Sequence, residues 1–173
     1  MTRTRFAAGG LGLFCAVPLL GTRALGREVT EPREHLDIPD AELWVAPSLE
    51  AAMFTDLNAE RVRRNRATLT FDDQLTEVAR AYARQMLKGR FIGHIAPDGT
   101  TFIQRLRRAG LAADHMGENL AYTTGDETAA FLHLVESQGH LSNMLNPLFT
   151  RVGVGAVAIG LYGTMYVQEF EGD

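Results

Sequence analysis

Apolar residues recur with helical spacing just after the N-terminal quarter of the chain. Leu49, Met53 and Leu57 fall at positions i, i+4 and i+8, which predicts a helix over residues 48–65. Ser48 follows a proline and is a suitable N-cap for this helix.

The clearest helical pattern begins after Asp72, which can cap it. The following apolar positions keep the i, i+3, i+4, i+7 spacing throughout. They are Leu75, Val78, Ala79, Tyr82, Ala83, Met86 and Leu87. Gly89 is predicted to end the helix, because glycine tolerates the left-handed conformation at a helix terminus.

Two shorter helices are indicated further along. Thr101 and Gln104 have the spacing of a capping box, and this helix is expected to stop at Gly110. Asp126 opens another helix that runs to about Glu136.

The C-terminal part of the chain changes from helical to strand-like patterning. The runs "RVGVGAVAIG" and "GTMYVQEF" are separated by a short glycine-containing loop at residues 161–163, which is typical of a β-hairpin. Residues 118–122 form a third candidate strand. Helices followed by strands predict an α+β fold with helices packed on an antiparallel sheet.

The N-terminus has the pattern of a secretory signal peptide. Arg3 and Arg5 precede an apolar run over residues 6–20, and "ALG" at residues 24–26 offers small residues for cleavage. The run has 15 residues, fewer than the roughly 20 that span a bilayer. We therefore expect export and cleavage after Gly26, leaving no transmembrane anchor; the alternative is an uncleaved N-terminal anchor.

Removal of residues 1–26 changes the charge and the cysteine content. The whole chain has 17 basic and 21 acidic residues. The segment takes three arginines and no acid, which leaves 14 basic residues against 21 acidic ones. Cys15, the only cysteine, leaves with it, so the exported domain is disulfide-free. No basic face is implied, which argues against nucleic acid as a partner.

Residues 27–47 form an acidic leader with three prolines and no sustained periodicity. Because proline removes backbone donors and restricts the residue before it, we expect this leader to be extended, with Trp44 docking on the domain. The domain itself is assigned to residues 48–173.

Three polar residues lie where the helical pattern breaks. His94, Glu118 and His140 each follow a glycine, which lets the backbone approach other groups closely. Two imidazoles and a carboxylate suit a divalent metal such as Zn²⁺. Their separations carry no metal motif, so three unrelated core or surface residues remain the alternative.

Several stretches together resemble one known family. They are "LNAERVRRN", "LTFDDQLTEVARAYARQM", "FIGHIAPDG", "GENLAY", "SQGHLSNMLNPLFTRVGVG" and "YVQEF". In this order they are similar to the bacterial branch of the CAP superfamily, also called SCP-like. The resemblance implies a three-layer α–β–α sandwich with a central antiparallel sheet and a solvent-accessible cleft that can hold a metal ion.

The resemblance also implies how the three polar residues are used. His94, Glu118 and His140 match family site positions, with Glu118 either a metal ligand or the hydrogen-bond partner of an imidazole. The family's second glutamate follows a tryptophan by three residues; here Leu134 and Ser137 stand at those positions. Gly117 and Gly139 each precede a proposed site residue and are expected to shape the cleft, together with Ser137, because the backbone must pack closely there.

Two functions remain open from the sequence. The first is a secreted, non-catalytic binding or interaction domain, whose partner is a divalent metal, a small lipid, a peptide, or an envelope or host protein. The alternative is a metal-assisted hydrolase, a peptidase or esterase with Glu118 as general base. No catalytic residue is assigned. Tyr82 is expected in the core, and His115 and His133 on the surface.

Overall fold

The computed structural model describes residues 13–16, 34–39 and 41–173. The helices are α1 (Pro47–Arg63), α2 (Asp73–Gly89), α3 (Phe102–Arg108), α4 (Glu127–Glu136) and α5 (Gln138–Met144). The strands are β1 (Leu13–Ala16), β2 (Glu34–His35), β3 (Leu43–Val45), β4 (Thr70–Phe71), β5 (Phe91–Ile92), β6 (His115–Thr123), β7 (Arg151–Ile159) and β8 (Thr164–Gly172).

The main sheet is antiparallel in the order β1-β6-β8-β7-β3. The hairpin of β7 and β8 lies at its centre, and β4 adds a short parallel pairing to β7. β2 and β5 form a separate antiparallel pair. The predicted α+β fold with a central antiparallel sheet is confirmed.

Helices cover both faces of the sheet because its strands are apolar on both sides. Leu120, Val157 and Val167 pack with α2 on one face. On the other face, Ala121 and Val154 pack with α1 and α4. This alternation follows from the two-residue period of a strand, and it produces the three-layer sandwich.

Two glycines of β7 allow α2 to lie directly on the sheet. A Cβ atom at Gly153 or Gly155 would overlap the backbone of α2 at Leu75 or Ala79. The "VGVG" run therefore sets the contact distance between the helix and the central strand.

The predicted helix starts are confirmed where a side chain caps the helix. Asp72 accepts a hydrogen bond from the N–H of Leu75 at 2.9 Å. Thr101 and Gln104 form the complete capping box of α3. Asp126 accepts from the N–H of Ala129 and caps α4.

Two local details differ from the predictions. α1 begins at Pro47 with Ala46 as N-cap, because proline is well suited to the first helical turn; Ser48 lies inside the helix. α2 ends at Gly89, as predicted, but Arg90 and not the glycine takes the left-handed conformation, with φ of 53°. One further helix, α5, was not predicted and begins directly after Ser137.

Part of the predicted leader packs on the domain. Glu34–His35 and Leu43–Val45 are extended, as expected, but they form β2 and β3. Leu36 and Ile38 are buried in the core. Trp44 remains 46 % exposed, so its ring is only half covered.

Most of the predicted signal peptide lies outside the described residues. Its described part, Leu13–Ala16, forms β1 and pairs with β6. Cleavage after Gly26 stays a prediction, and it would turn β6 into an edge strand of the sheet.

Candidate functional site

The structure brings His94 and Glu118 into direct contact. His94 follows β5 and Glu118 lies within β6, and the distance between His94 Nδ1 and Glu118 Oε1 is 2.7 Å. The two side chains are only 2 % and 1 % exposed. They are therefore buried, whereas the sequence analysis expected a solvent-accessible cleft.

Arg105 of α3 binds the second oxygen of the same carboxylate. Its Nη2 atom lies 2.5 Å from Glu118 Oε2, and its Nη1 atom donates to the carbonyl oxygens of His94 and Thr100. The guanidinium also lies 3.2 Å from the ring centroid of Tyr82, a cation–π geometry. Both oxygens of Glu118 are thus engaged by cationic or N–H donors.

Tyr82 supports this arrangement from α2. The ring is 1 % exposed, as expected for a core residue, and its hydroxyl donates to the carbonyl oxygen of Gly93. This bond fixes the backbone next to His94. Burial raises the pKa of Tyr82 well above its ordinary value, so the hydroxyl stays a donor.

A second buried carboxyl group, Glu169, lies opposite Glu118. The two residues are Cα partners in the β6–β8 register, and Glu169 is fully buried. Apart from Glu118, no described residue hydrogen bonds to its carboxyl oxygens. We call His94, Arg105, Glu118 and Glu169 the buried polar cluster.

The pKa values of the two carboxyl groups move in opposite directions. Burial and the neighbouring Glu118 raise the pKa of Glu169 well above its ordinary value. Burial acts on Glu118 too, but Arg105 and the hydrogen bond from His94 outweigh it and lower its pKa. Glu118 is therefore ionised and accepts a hydrogen bond from Nδ1–H of His94, while the raised pKa of Glu169 favours its neutral form.

Arg105 and Glu169 were not among the predicted site residues. Arg105 is one of three arginines in a short helix, and nothing in that spacing singles it out. Glu169 did leave a signal, because it shares the two-residue alternation of the buried Met165 and Val167 in β8. An acidic residue at an apolar strand position requires a partner.

His140 is placed differently from the other two predicted site residues. It is fully buried in α5, and its carbonyl oxygen accepts from Nδ2 of Asn119 at 3.1 Å. Asn143 of the same helix donates to Oδ1 of Asn119. Since successive strand side chains point to opposite faces, α5 lies on the face of β6 opposite the Glu118 carboxylate.

The positions of His94, Glu118 and His140 show whether these residues are arranged to hold a metal ion. Within the described ranges, no group of three or more His, Cys, Asp or Glu side chains is arranged to hold one. Glu118 is bound on both oxygens, which leaves imidazole nitrogens as the donors. The residues do not fit the three-ligand site usual for catalytic zinc, and Glu118 has the role of hydrogen-bond partner to His94.

Neither of the two glycines has a positive φ angle; among the described residues, the glycines with positive φ are Gly99, Gly110, Gly160 and Gly163. The backbone at Gly117 does lie close to another element, because a Cβ atom there would lie 2.7 Å from Cζ of Phe149. Gly139 lies within α5.

The remaining candidates lie around the α4–α5 junction. Ser137 is the junction residue itself, with extended φ and ψ of −81° and 117°. Leu134, at the family's tryptophan position, is buried, and Glu136 is exposed. His133, expected at the surface, is half-buried, as is His115.

Comparison with known proteins identifies the family. The model of the CAP, or cysteine-rich secretory protein, family matches residues 54–170. The chain belongs to this family.

Two Bacillus subtilis proteins show the similarity along the chain. YkwD is 30 % identical over 115 residues, which cover 66 % of this chain and 44 % of YkwD. The membrane protein YlbC is 31 % identical over 130 residues, covering 74 % of this chain and 36 % of YlbC. The chain thus spans less than half the length of these curated relatives.

Solved structures show the same fold. An extracellular protein containing an SCP domain from Bacillus anthracis superposes with a TM-score of 0.67 at 30 % identity, covering 73 % of this chain and 41 % of that one. An outer surface protein from Borrelia burgdorferi gives 0.71 at 20 % identity, covering 78 % and 100 %. Among the residues that the structure describes, no helix is long and apolar enough to cross a membrane.

Proposed function

We propose that the protein is an exported CAP domain that acts by binding rather than by catalysis. The observation that carries this proposal is that both carboxylate oxygens of Glu118 already have hydrogen-bond donors within the protein. Its two oxygens are held at 2.7 Å by His94 and 2.5 Å by Arg105, in a buried position. A general base must reach the proton that it removes, and this carboxylate already has its donors inside the protein.

Export is supported by the N-terminal pattern and by a relative. Arginines, an apolar run and small residues precede position 27. The B. anthracis protein with 30 % identity is described as extracellular. The proposed partner is a small lipid, a peptide, or an envelope or host protein.

Weak binding of a divalent ion such as Zn²⁺ through His94 and His140, as the family resemblance implies, stays part of this proposal. Because α5 lies against the face of β6 opposite the Glu118 carboxylate, one of the two imidazoles would have to move for both to reach the same ion. Glu118 would orient the imidazole of His94, since a carboxylate on one ring nitrogen fixes the tautomer in metal sites. Without a third protein ligand, the affinity would be low.

A substrate screen tests the proposal. The purified protein is incubated with peptidase and esterase substrate panels, with and without chelator, beside the Glu118→Gln variant. We expect no turnover above the level of this variant. Hydrolysis that chelator removes and that Glu118→Gln abolishes would establish the hydrolase alternative instead.

A further inference from the structure

A groove on the outer side of α2 is lined by two cationic side chains. Ala81, Arg84, Gln85 and Lys88 lie at i, i+3, i+4 and i+7 and form one wall. This stripe is the face of α2 turned away from the sheet, because the apolar stripe of the same helix packs on β7 and β8. The groove is shallow and open to solvent, with a volume of about 560 Å³.

The opposite wall is a hydrogen-bonded turn. The N–H of Gly99 donates to the carbonyl oxygen of Ala96, and the N–H of Ala96 donates to that of Thr100, both at 2.9 Å. Pro97 and Asp98 of this turn face the groove, together with Phe91. Phe91 packs edge-on against Tyr82 with ring centroids 6.4 Å apart, so this apolar surface is fixed by the core.

Arg84 and Lys88 have no internal partner within the described part of the chain. No hydrogen bond or ion pair joins either side chain to another described residue. Other arginines of the protein form ion pairs with carboxylates. Arg80 pairs with Glu50 at 2.5 Å, and Arg151 pairs with Glu171 at 2.6 Å.

Lys88 is not needed to cap α2, because the carbonyl oxygens of Met86 and Leu87 accept from the N–H of Arg90. Asp98 across the groove accepts from the N–H of Thr100 at 2.9 Å, and this bond lowers the pKa of Asp98, so its carboxylate stays charged. The groove lining therefore carries two cationic side chains against one anionic side chain.

We propose that this groove binds a phosphate-bearing ligand, with the phosphate between Arg84 and Lys88 and an attached apolar group against Phe91 and Pro97. Arginine offers a planar fork that suits phosphate oxygens, and lysine adds a compact charge. A soluble phosphate ester and the headgroup of an anionic lipid share this chemistry.

Two probes distinguish the sources of the phosphate. Phenyl phosphate is titrated into the purified protein by calorimetry. Vesicles of phosphatidylcholine, with and without phosphatidylglycerol, are tested by co-sedimentation. Binding of phenyl phosphate alone supports a soluble ligand, whereas binding of the phosphatidylglycerol vesicles supports a lipid headgroup.

Matched variants locate the binding. Arg84→Gln/Lys88→Gln should weaken binding by about tenfold or more, as expected for loss of charge-assisted hydrogen bonds. Arg66→Gln/Arg107→Gln removes the same charge from exposed positions outside the groove and should leave binding unchanged. Ala81→Phe fills the groove without altering charge and should also weaken binding.

Two results would overturn the proposal. One is failure of both probes to bind the wild-type protein. The other is an equal loss of binding in the two double variants, which would show attraction to net charge alone. Thermal melts of each variant confirm that the fold is retained before binding is compared.

Discussion

His94 Nδ1 lies 2.7 Å from Glu118 Oε1, and neither side chain is more than 2 % exposed. The bond joins the loop after β5 to strand β6. Because Arg105 holds the other oxygen of Glu118, a loop, a strand and a helix meet at a single carboxylate. The buried polar cluster therefore holds three parts of the fold together, in addition to being a candidate site.

The charge of Glu118 is expected to stabilise the fold. Glu118→Gln leaves the buried Arg105 without its counter-charge, which typically costs about 3 kcal/mol or more. We expect a markedly lower free energy of unfolding, measured by urea denaturation at pH 7. Arg105→Gln should lower the free energy of unfolding by a similar amount. The double variant should lower it by less than the sum of the two single changes.

Glu169→Gln is the matched control at the same depth. Burial and Glu118 raise the pKa of Glu169 and so favour its neutral form, and an amide has nearly the shape of a neutral carboxyl group. We expect its free energy of unfolding to stay within about 1 kcal/mol of wild type at pH 7. A loss as large as that of Glu118→Gln would mean that Glu169 is the charged member of the pair.

Local signals in the sequence predicted much of the fold but little of this cluster. The caps at Asp72, Thr101 and Asp126 depend on neighbours three residues away, so they can be read from the chain. The β7–β8 hairpin is likewise local. His94 and Glu118 were singled out because each follows a glycine where the helical pattern breaks, but only the resemblance to the family grouped them into one site.

The features that the sequence did not predict, Arg105 and Glu169 of the cluster and helix α5, depend on tertiary packing. The contact between Arg105 and Glu118 spans the α3–β6 connection, and which of three arginines turns inward is decided by the docking of α3. The partnership of Glu169 with Glu118 follows from the register of β6 and β8, which no short pattern specifies. α5 has only seven residues, too few for its periodicity to stand out.

Gly117 and Gly139 should respond differently to alanine. At Gly117 the new Cβ atom would lie 2.7 Å from Phe149, and overpacking of this kind costs about 1–3 kcal/mol. Gly139 is helical without positive φ, so alanine should be neutral or stabilise the helix by up to about 1 kcal/mol. Unfolding midpoints of both variants check this, and a loss only at Gly139 would contradict it.

Zinc binding should be weak and should depend on pH. Only the neutral imidazole offers a lone pair to metal, so binding through His94 and His140 should weaken as the pH falls and the imidazoles take up protons. Calorimetric titration at two pH values measures this. Equal binding by the wild type and a His94→Ala/His140→Ala variant would place the zinc elsewhere, and no binding would remove metal from the proposed function.

Glu127 should make stability fall as the pH rises toward neutrality. It lies in the first turn of α4 and is buried, and its Oε1 atom has no hydrogen-bond partner among the described residues. Burial, reinforced by Asp56 of α1 and the neighbouring Asp126, raises the pKa of Glu127 to about 7 from 4.5. The folded state therefore holds this proton more tightly than the unfolded chain does.

The stabilisation from this proton is complete below about pH 4.5 and is lost as the pH rises through 7. Glu127→Gln keeps a neutral side chain at every pH, so the variant should be only slightly more stable than wild type near pH 5 and clearly more stable at pH 8, by on the order of 1 kcal/mol. Urea denaturation at both pH values measures the difference, and Glu136→Gln, exposed on the same helix, is the control. If the advantage of Glu127→Gln were the same at pH 5 and pH 8, or if Glu136→Gln showed the same dependence, burial of Glu127 would not be its cause.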